Sequence, residues 1–251
     1  MRSTQASDYQ NLPRPVAVMA KDFAPGAATG RHSHPRAQLL YAVSGLMVAA
    51  TRDGTWAVPA GHALLIPPGV VHEVTMHGAV AMRTAYLAPA SLALPPGTRV
   101  LRVSGLLDAA LVALADEPVL YDAAGRGGHL AALVLDEVAR APVTPYALPL
   151  PEDRRLRRLC RELIEAPATP HGIDTWADRV GVSRRTLTRR FRDETGLSFG
   201  AWRRRLRLVE AMVRQARGDA TARIAPALGY GSPRALRTMV RRTLAASRQE
   251  P

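Results

Sequence analysis

The sequence predicts an α+β protein of two domains: a small all-β barrel with helices following it, then an all-α domain carrying two helix-turn-helix motifs. Three observations carry this. From Val16 to about Leu87 the apolar runs are short, rich in Val, Leu and Ala, and broken by Gly and Pro, the spacing of a small all-β domain. Beyond Leu106 the apolar residues recur at helical intervals instead. Charge divides the same way: residues 1–150 hold 11 Lys+Arg and 10 Asp+Glu, residues 151–251 hold 23 and 11, so the parts carry +1 and +12. Positive charge concentrated in this way is the electrostatic footprint of a part that meets a polyanion backbone.

At 251 residues and 47% hydrophobic content the chain has enough apolar side chains for a core in each domain. Cys160 is the only cysteine, which excludes an intramolecular disulfide and fits a reducing compartment. The first fifteen residues lack the apolar centre of a signal peptide, and no stretch approaches about eighteen uninterrupted apolar residues. A soluble cytoplasmic protein with no membrane association is expected.

In the β region, Asp53-Gly54 between the runs LMVAA and TWAV is a hairpin signal, because a type I′ turn needs positive φ at both central residues. Pro59-Ala60-Gly61 and Pro67-Pro68-Gly69 bracket the next strand, Ala63 to Ile66. His32 and His34 are two apart, so in a strand they point to one face. With His72 from another strand and the amide oxygen of Gln38, they would make a neutral donor set for a divalent Zn, Ni, Fe or Cu ion. The alternative is a metal-free pocket in which the same groups hydrogen-bond an organic effector. His62, His77 and His129 have no partner at ligand spacing and are read as ordinary surface or core residues.

The spacing of Gly26, His32-Ser33-His34, Gln38 and Gly45 fits the first cupin motif, and Gly61, Pro67-Pro68-Gly69 and His72 fit the second. Residues 16–90 thus resemble a cupin barrel, with Gln38 where the motif usually has Glu and Met76 where Asn is usual. Loss of the Glu charge weakens cation binding and disfavours a redox role.

Leu106, Leu107, Leu111 and Leu114 predict one amphipathic helix; Leu130, Leu133, Val134 and Val138, after Gly127-Gly128, predict a second. Their stripes either pack on the barrel or mediate self-association. Pro142, Pro145, Pro149 and Pro151 then preclude a continuous helix. The expected division is a sensor barrel with its helices over residues 1–141, a semi-rigid proline-rich linker over 142–151, and a basic helical domain over 152–251.

That basic domain opens on a helix from Arg154 to Ile164 with Leu156, Leu159, Leu163 and Ile164 on its apolar face. Asp174 is placed to cap a short helix from Thr175 to Val180, Gly181-Val182 makes a turn, and Ser183 caps a helix with Leu187 and Phe191 inward. Gly196 ends it, and a connector runs from Ser198 to about Arg214. Ala177, Gly181-Val182-Ser183, Leu187, Arg189, Phe191, Glu194-Thr195-Gly196, Trp202, Arg203 and Arg207 are similar to the first half of the AraC/XylS DNA-binding domain. Ile224-Ala225, Gly229-Tyr230, Ser232-Pro233 and Arg241-Arg242 resemble the second half, with departures: Pro226 lies inside a helix, Leu236 and Val240 stand where Phe is usual, and Ala245 and Arg248 replace Gly and Pro.

The resemblance implies a cytoplasmic, sequence-specific transcription regulator, activator or repressor, whose cupin domain senses a small molecule or metal ion. Its base-reading positions fall on Arg185, Thr188 and Arg189, beside Ser183 and Arg184, and in the second half on Pro233, Arg234 and Thr238, with Arg237 a further candidate and Ser232 beside them. Arg203, Arg204, Arg205 and Arg207 are expected at phosphates, giving affinity without sequence information. Implied partners are double-stranded promoter DNA, the effector, RNA polymerase and a second copy of the chain. The alternative is a metal-dependent cupin enzyme, a dioxygenase or isomerase, with an accessory DNA-binding domain. No acid/base pair accompanies the histidines, which favours the regulator and no catalytic residues.

Overall fold

The computed structural model describes residues 3–91 and 97–246; Arg248 lies outside the described residues. The chain forms two compact units, one of residues up to Thr51 with Trp56–Thr144, the other of Arg52–Thr55 with the chain from Pro145 onward.

The first unit is a β-barrel. Strands β1 (Val16–Phe23), β2 (Ala37–Thr51), β3 (Gly54–Pro59), β4 (His62–Ile66), β5 (His72–Leu87) and β6 (Arg99–Arg102) assemble with neighbours in the order β1-β5-β2-β3, while β4 pairs with both β2 and β6. The pleat divides side chains by parity. Val16, Val18, Leu39, Tyr41, Ala63, Leu65, Ala85 and Leu87 turn to one buried face. Even-numbered β2 and β5 residues, with Met19, Lys21 and Phe23 of β1, line a cavity on the other.

On the first face lie helices α1 (Gly105–Asp116) and α2 (Arg126–Arg140), through Leu107, Leu111, Leu114, Ala131, Val134 and Val138. Leu106 departs from the expected stripe and is 53% exposed. Gly127 and Gly128 lie inside the first turn of α2 rather than before it; a Cβ at Gly127 would come within 2.4 Å of the Tyr121 Cβ.

The β2–β3 turn differs from the expected type. Its two connecting residues are Arg52 and Asp53, Gly54 already belongs to β3, and neither Asp53 nor Gly54 has positive φ. The turn is therefore not type I′. At Gly45 the requirement is real: φ is +83°, the β2–β5 register shifts on both sides of Ser44, and a Cβ would sit 2.3 Å from the Ala79 carbonyl oxygen. Gly45→Ala is expected to cost about 1–3 kcal/mol, read as a lowered denaturant midpoint with unchanged slope.

The second unit contains a short strand β7 (Ala147–Pro149) and helices α3 (Arg154–Glu165), α4 (Ile173–Val180), α5 (Arg184–Thr195), α6 (Phe199–Ala216), α7 (Thr221–Ala227) and α8 (Pro233–Ala246). Leu148 of β7 joins the core formed by α3, α4, α5 and the start of α6. In α3 the inward stripe is Leu156, Leu159, Cys160 and Leu163; Ile164, expected inward, sits at the edge of that stripe, near the helix end at Glu165, and is 38% exposed. Asp174 does not cap α4, which starts two residues before the expected Thr175, at Ile173, with Gly172 in the cap position. Pro226 donates no N–H and α7 ends one residue after it, so the ring occupies the last turn of a seven-residue helix.

Candidate effector cavity and nucleic-acid interface

Three histidines meet inside the barrel. The His32 and His72 backbones form an isolated antiparallel bridge, each N–H donating to the other's carbonyl at 3.0 and 2.8 Å. His34 lies two residues on, its carbonyl accepting from the Gly69 N–H at 2.8 Å. One ligand atom from each ring lies within 4.8 Å of the others. The ring centroids are 4.8 Å apart for His32–His34, 4.4 Å for His32–His72 and 5.6 Å for His34–His72.

The hydrogen bonds assign what these groups offer. His32 Nδ1 faces the Gly30 carbonyl at 2.6 Å and His72 Nδ1 faces the Val70 carbonyl at 2.9 Å. A carbonyl can only accept, so each Nδ1 carries the proton and each Nε2 is left with a lone pair. Gln38 donates through Nε2 to the Thr84 hydroxyl at 3.1 Å, which points its Oε1 as an acceptor. Buried His34 Nε2, His72 Nε2 and Gln38 Oε1 have no protein partner. Burial, reinforced by His32 and His72, lowers the His34 pKa to about 4, and burial also lowers that of His72. Neutral imidazoles converging with an orphaned amide oxygen suit a bound cation or a ligand bearing several N–H or O–H donors.

The cavity encloses about 170 Å³ and is walled by Met19, Phe23, Leu40, Val74, Met76 and Met82, with Thr4, Gln5 and Ala6 also lining it. Lys21, Thr84 and Tyr86 were not singled out by the motif spacing. Lys21 had a legible signal, being the only lysine in the chain.

In the second unit, α4 and α5 form a helix-turn-helix. Gly181 caps α4 in the left-handed conformation with φ 71°, and the Ser183 hydroxyl accepts from the Thr186 N–H at 3.2 Å at the start of α5. Leu187 and Phe191 are fully buried, Phe191 lying edge-on to Phe199 and Trp202 at 5.5 and 5.9 Å between centroids. The Trp202 indole N–H donates to the Pro149 carbonyl at 2.7 Å. This packing turns Arg184, Arg185, Thr188, Arg189 and Arg192 outward around one open concavity. Arg184 pairs with Asp174 at 3.3 Å. Among the described residues, Arg185 and Arg189 have no carboxylate partner.

The second motif is α7 and α8. The Ser232 hydroxyl accepts from the Ala235 N–H at 3.2 Å, with Pro233 in the first helical position. Its buried cluster of Ala211, Ile224, Ala225, Leu228, Leu236 and Met239 contains no aromatic ring, and Val240 is only partly covered. Arg234, Thr238 and Ser232 share a concavity with Arg204, Arg207 and Arg242. Arg237 does not join them: it lines a separate apolar cleft with Leu208, Val240 and Arg241, a different side of α8.

Two arginines expected free for phosphate are engaged by the protein itself. Arg203 donates to the His171 carbonyl at 2.7 Å and to that of Thr169, with its guanidinium 5.8 Å from the Phe199 ring centroid. Arg207 donates to the Pro167 carbonyl at 3.1 Å and lies 5.4 Å from the Tyr230 ring centroid. Both tie α6 to the α3–α4 loop, which spends donors that sequence reading had left open. Arg204 between them is exposed.

A ligand cavity in a small barrel, joined in one chain to two helix-turn-helix motifs on a basic helical unit, defines a DNA-binding regulator with an N-terminal ligand-binding domain. Residues 21–119 match the family model of the AraC-like ligand binding domain, and residues 176–249 match that of a helix-turn-helix domain. The chain is 28% identical over 213 residues to the HTH-type transcriptional regulator NimR of Escherichia coli strain K12, spanning 85% of this chain and 78% of that protein. It is 32% identical over 99 residues to the HTH-type transcriptional regulator RipA of Corynebacterium glutamicum, spanning 39% of this chain and 30% of that protein. A solved structure of ToxT from Vibrio cholerae aligns over 92% of this chain and 96% of that one with 7% identity and a TM-score of 0.38. The chain thus combines an N-terminal AraC-like ligand-binding domain with a C-terminal helix-turn-helix domain, the organisation of an AraC-type transcription regulator. No helix among the described residues is long and apolar enough to cross a membrane.

Proposed function

We propose that this regulator reads promoter DNA chiefly through Arg185, Thr188 and Arg189 of α5, and more weakly through Arg234 and Thr238 of α8. The observation that carries it is the outward, unpartnered placement of Arg185 and Arg189 on a helix whose opposite face is locked by Leu187 and Phe191. Arginine's planar fork suits bidentate contact with guanine, so the first half-site contains G. Ser183, Arg184 and Ser232 border the bases, and Arg204 and Arg242 contact phosphate. Arg203 and Arg207 act mainly by fixing α6 against its neighbours, and Arg237 contributes less to reading than Arg234.

The barrel cavity is the sensing site. His32, His34, His72 and Gln38 hold a divalent cation, Zn, Ni, Fe or Cu, as part of the signal; the cation would supply a Lewis-acidic contact for the effector. The orphaned acceptors support this. We assign the cavity to sensing rather than turnover, since no Asp or Glu lines it among the described residues. The protein acts in the cytoplasm as a homodimer joined through the helices after the barrel, and contacts RNA polymerase when activating. Effector binding regulates by favouring the DNA-competent arrangement over its alternative.

Footprinting on DNA upstream of its own locus tests the reading. Two protected segments on one face of the duplex, about one helical turn apart, are expected. Uniform weak protection of all fragments, abolished by moderate salt, would contradict sequence-specific reading.

A further inference from the structure

Lys21 stands apart chemically. The chain holds 34 Lys+Arg, and Lys21 is its single lysine; it lies on the cavity face of β1 between Met19 and Phe23. Its ammonium is 5.1 Å from the Phe23 ring centroid. The adjacent Asp22 is engaged with Arg83 at 3.6 Å. Among the described residues lining the cavity there is no Asp or Glu, so nothing in the wall neutralises this charge. A partly desolvated cation without a counter-ion is costly, and a ligand that brings the counter-charge removes that cost.

The rest of the wall sharpens the class. The Nε2 atoms of His32 and His72 and the Oε1 of Gln38 present lone pairs, which repel an anion placed directly against them, and most of the remaining wall is thioether, aromatic and aliphatic, with Thr4, Gln5, Thr29 and Tyr86 adding polar groups. An acidic group therefore belongs at Lys21 and an apolar body between. A cavity of about 170 Å³ is small. Spaces of about 150 Å³ accept a molecule the size of benzene.

We infer that the effector is a compact monocarboxylate of about benzoate size, its carboxylate paired with Lys21 and its apolar body among Met19, Phe23 and Leu40. This rests on the reading of the barrel cavity as the sensing site. A cation at the histidines adds positive charge to a wall with no acid and strengthens the preference for an anion.

The single lysine makes the test direct. Reductive ¹³C-methylation of the full chain places one dimethyl-lysine resonance beside that of the α-amine and keeps the charge. Benzoate and hexanoate, against benzamide and hexanamide, are titrated into zinc-free and zinc-loaded protein, following this resonance and the melting temperature. The acids are expected to shift the Lys21 resonance saturably and raise Tm, the amides not, and Lys21→Met to weaken acid binding at least tenfold. Equal responses to acid and amide, unchanged acid binding by Lys21→Met, or no acid response in either form overturns the inference. Zinc stabilisation lost in His72→Ala is read separately. If it persists without any carboxylate effect, the cation reading stands and this inference falls. Carboxylate binding with no zinc effect gives the reverse.

Discussion

Arg189→Ala loses specific DNA binding while keeping its fold. A bidentate arginine–guanine contact contributes about 1–3 kcal/mol, so each of Arg189→Ala and Arg185→Ala lowers specific affinity by roughly 5- to 150-fold. Both side chains are exposed and without a carboxylate partner among the described residues, so their removal leaves the Leu187–Phe191–Trp202 core untouched. Circular dichroism and melting temperature should match the parent. Arg204→Ala provides the contrast: all sequences weaken alike and the salt dependence of binding becomes shallower by about one charge. Gel shifts with operator and scrambled DNA at two salt concentrations distinguish these outcomes. Unchanged operator affinity in both α5 variants sinks the assignment of α5 as the reading helix.

Zinc raises the melting temperature of the parent by roughly 5–10 °C at a hundredfold excess over Kd, from about 2.7 kcal/mol of linkage spread over a chain of this size. His72→Ala abolishes the rise, since its Nε2 is one of the converging lone pairs. The zinc-free protein carries a pH signature from the same cluster. The His34 pKa is held near 4 in the folded state, against an ordinary value of 6.5. Between those values the unfolded chain binds a proton that the folded chain refuses. Stability is therefore complete above about pH 6.5, falls as pH drops toward 4, and no longer changes through this group below that. Urea titrations from pH 4 to 7 check the window; His34→Gln should make the slope shallower, the remainder coming from groups such as His72 whose pKa burial also lowers. A parent whose stability is constant across that range contradicts the burial argument.

What was legible in the sequence follows from which forces are local. The Ser183 and Ser232 caps and the inward Leu187 and Phe191 depend on side-chain chemistry and backbone period within a few residues, and the helices place them as the pattern requires. His32 and His34 lie ahead of β2 rather than in a strand, His32 held by its isolated bridge to His72, so strand parity is not what brings their rings together. The outward placement of Arg185, Thr188 and Arg189 is the complement of the Leu187 and Phe191 burial pattern, while their proposed role at bases rests on the family resemblance. Arg203 and Arg207 were illegible because their carbonyl partners at Pro167, Thr169 and His171 lie more than thirty residues away in the chain. Arg237 emerges on a different side of α8 from Arg234 and Thr238, beside an apolar cleft lined by Leu236 and Val240, a separation that motif resemblance does not convey. The Asp53-Gly54 turn was read one residue late, since strand pairing drew Gly54 into β3.

Helix α6 runs unbroken from Phe199 to Ala216, is capped by Ser198, and is tied near its start by Trp202, Arg203 and Arg207. At about 1.5 Å per residue it is roughly 27 Å long. A strut of that stiffness works as a ruler. With α5 and α8 reading successive half-sites as proposed, one inserted base pair between them would move the second by about 3.4 Å and rotate it by about 35°, a mismatch the helix cannot absorb by stretching. The gap between half-sites would then be part of the recognised sequence.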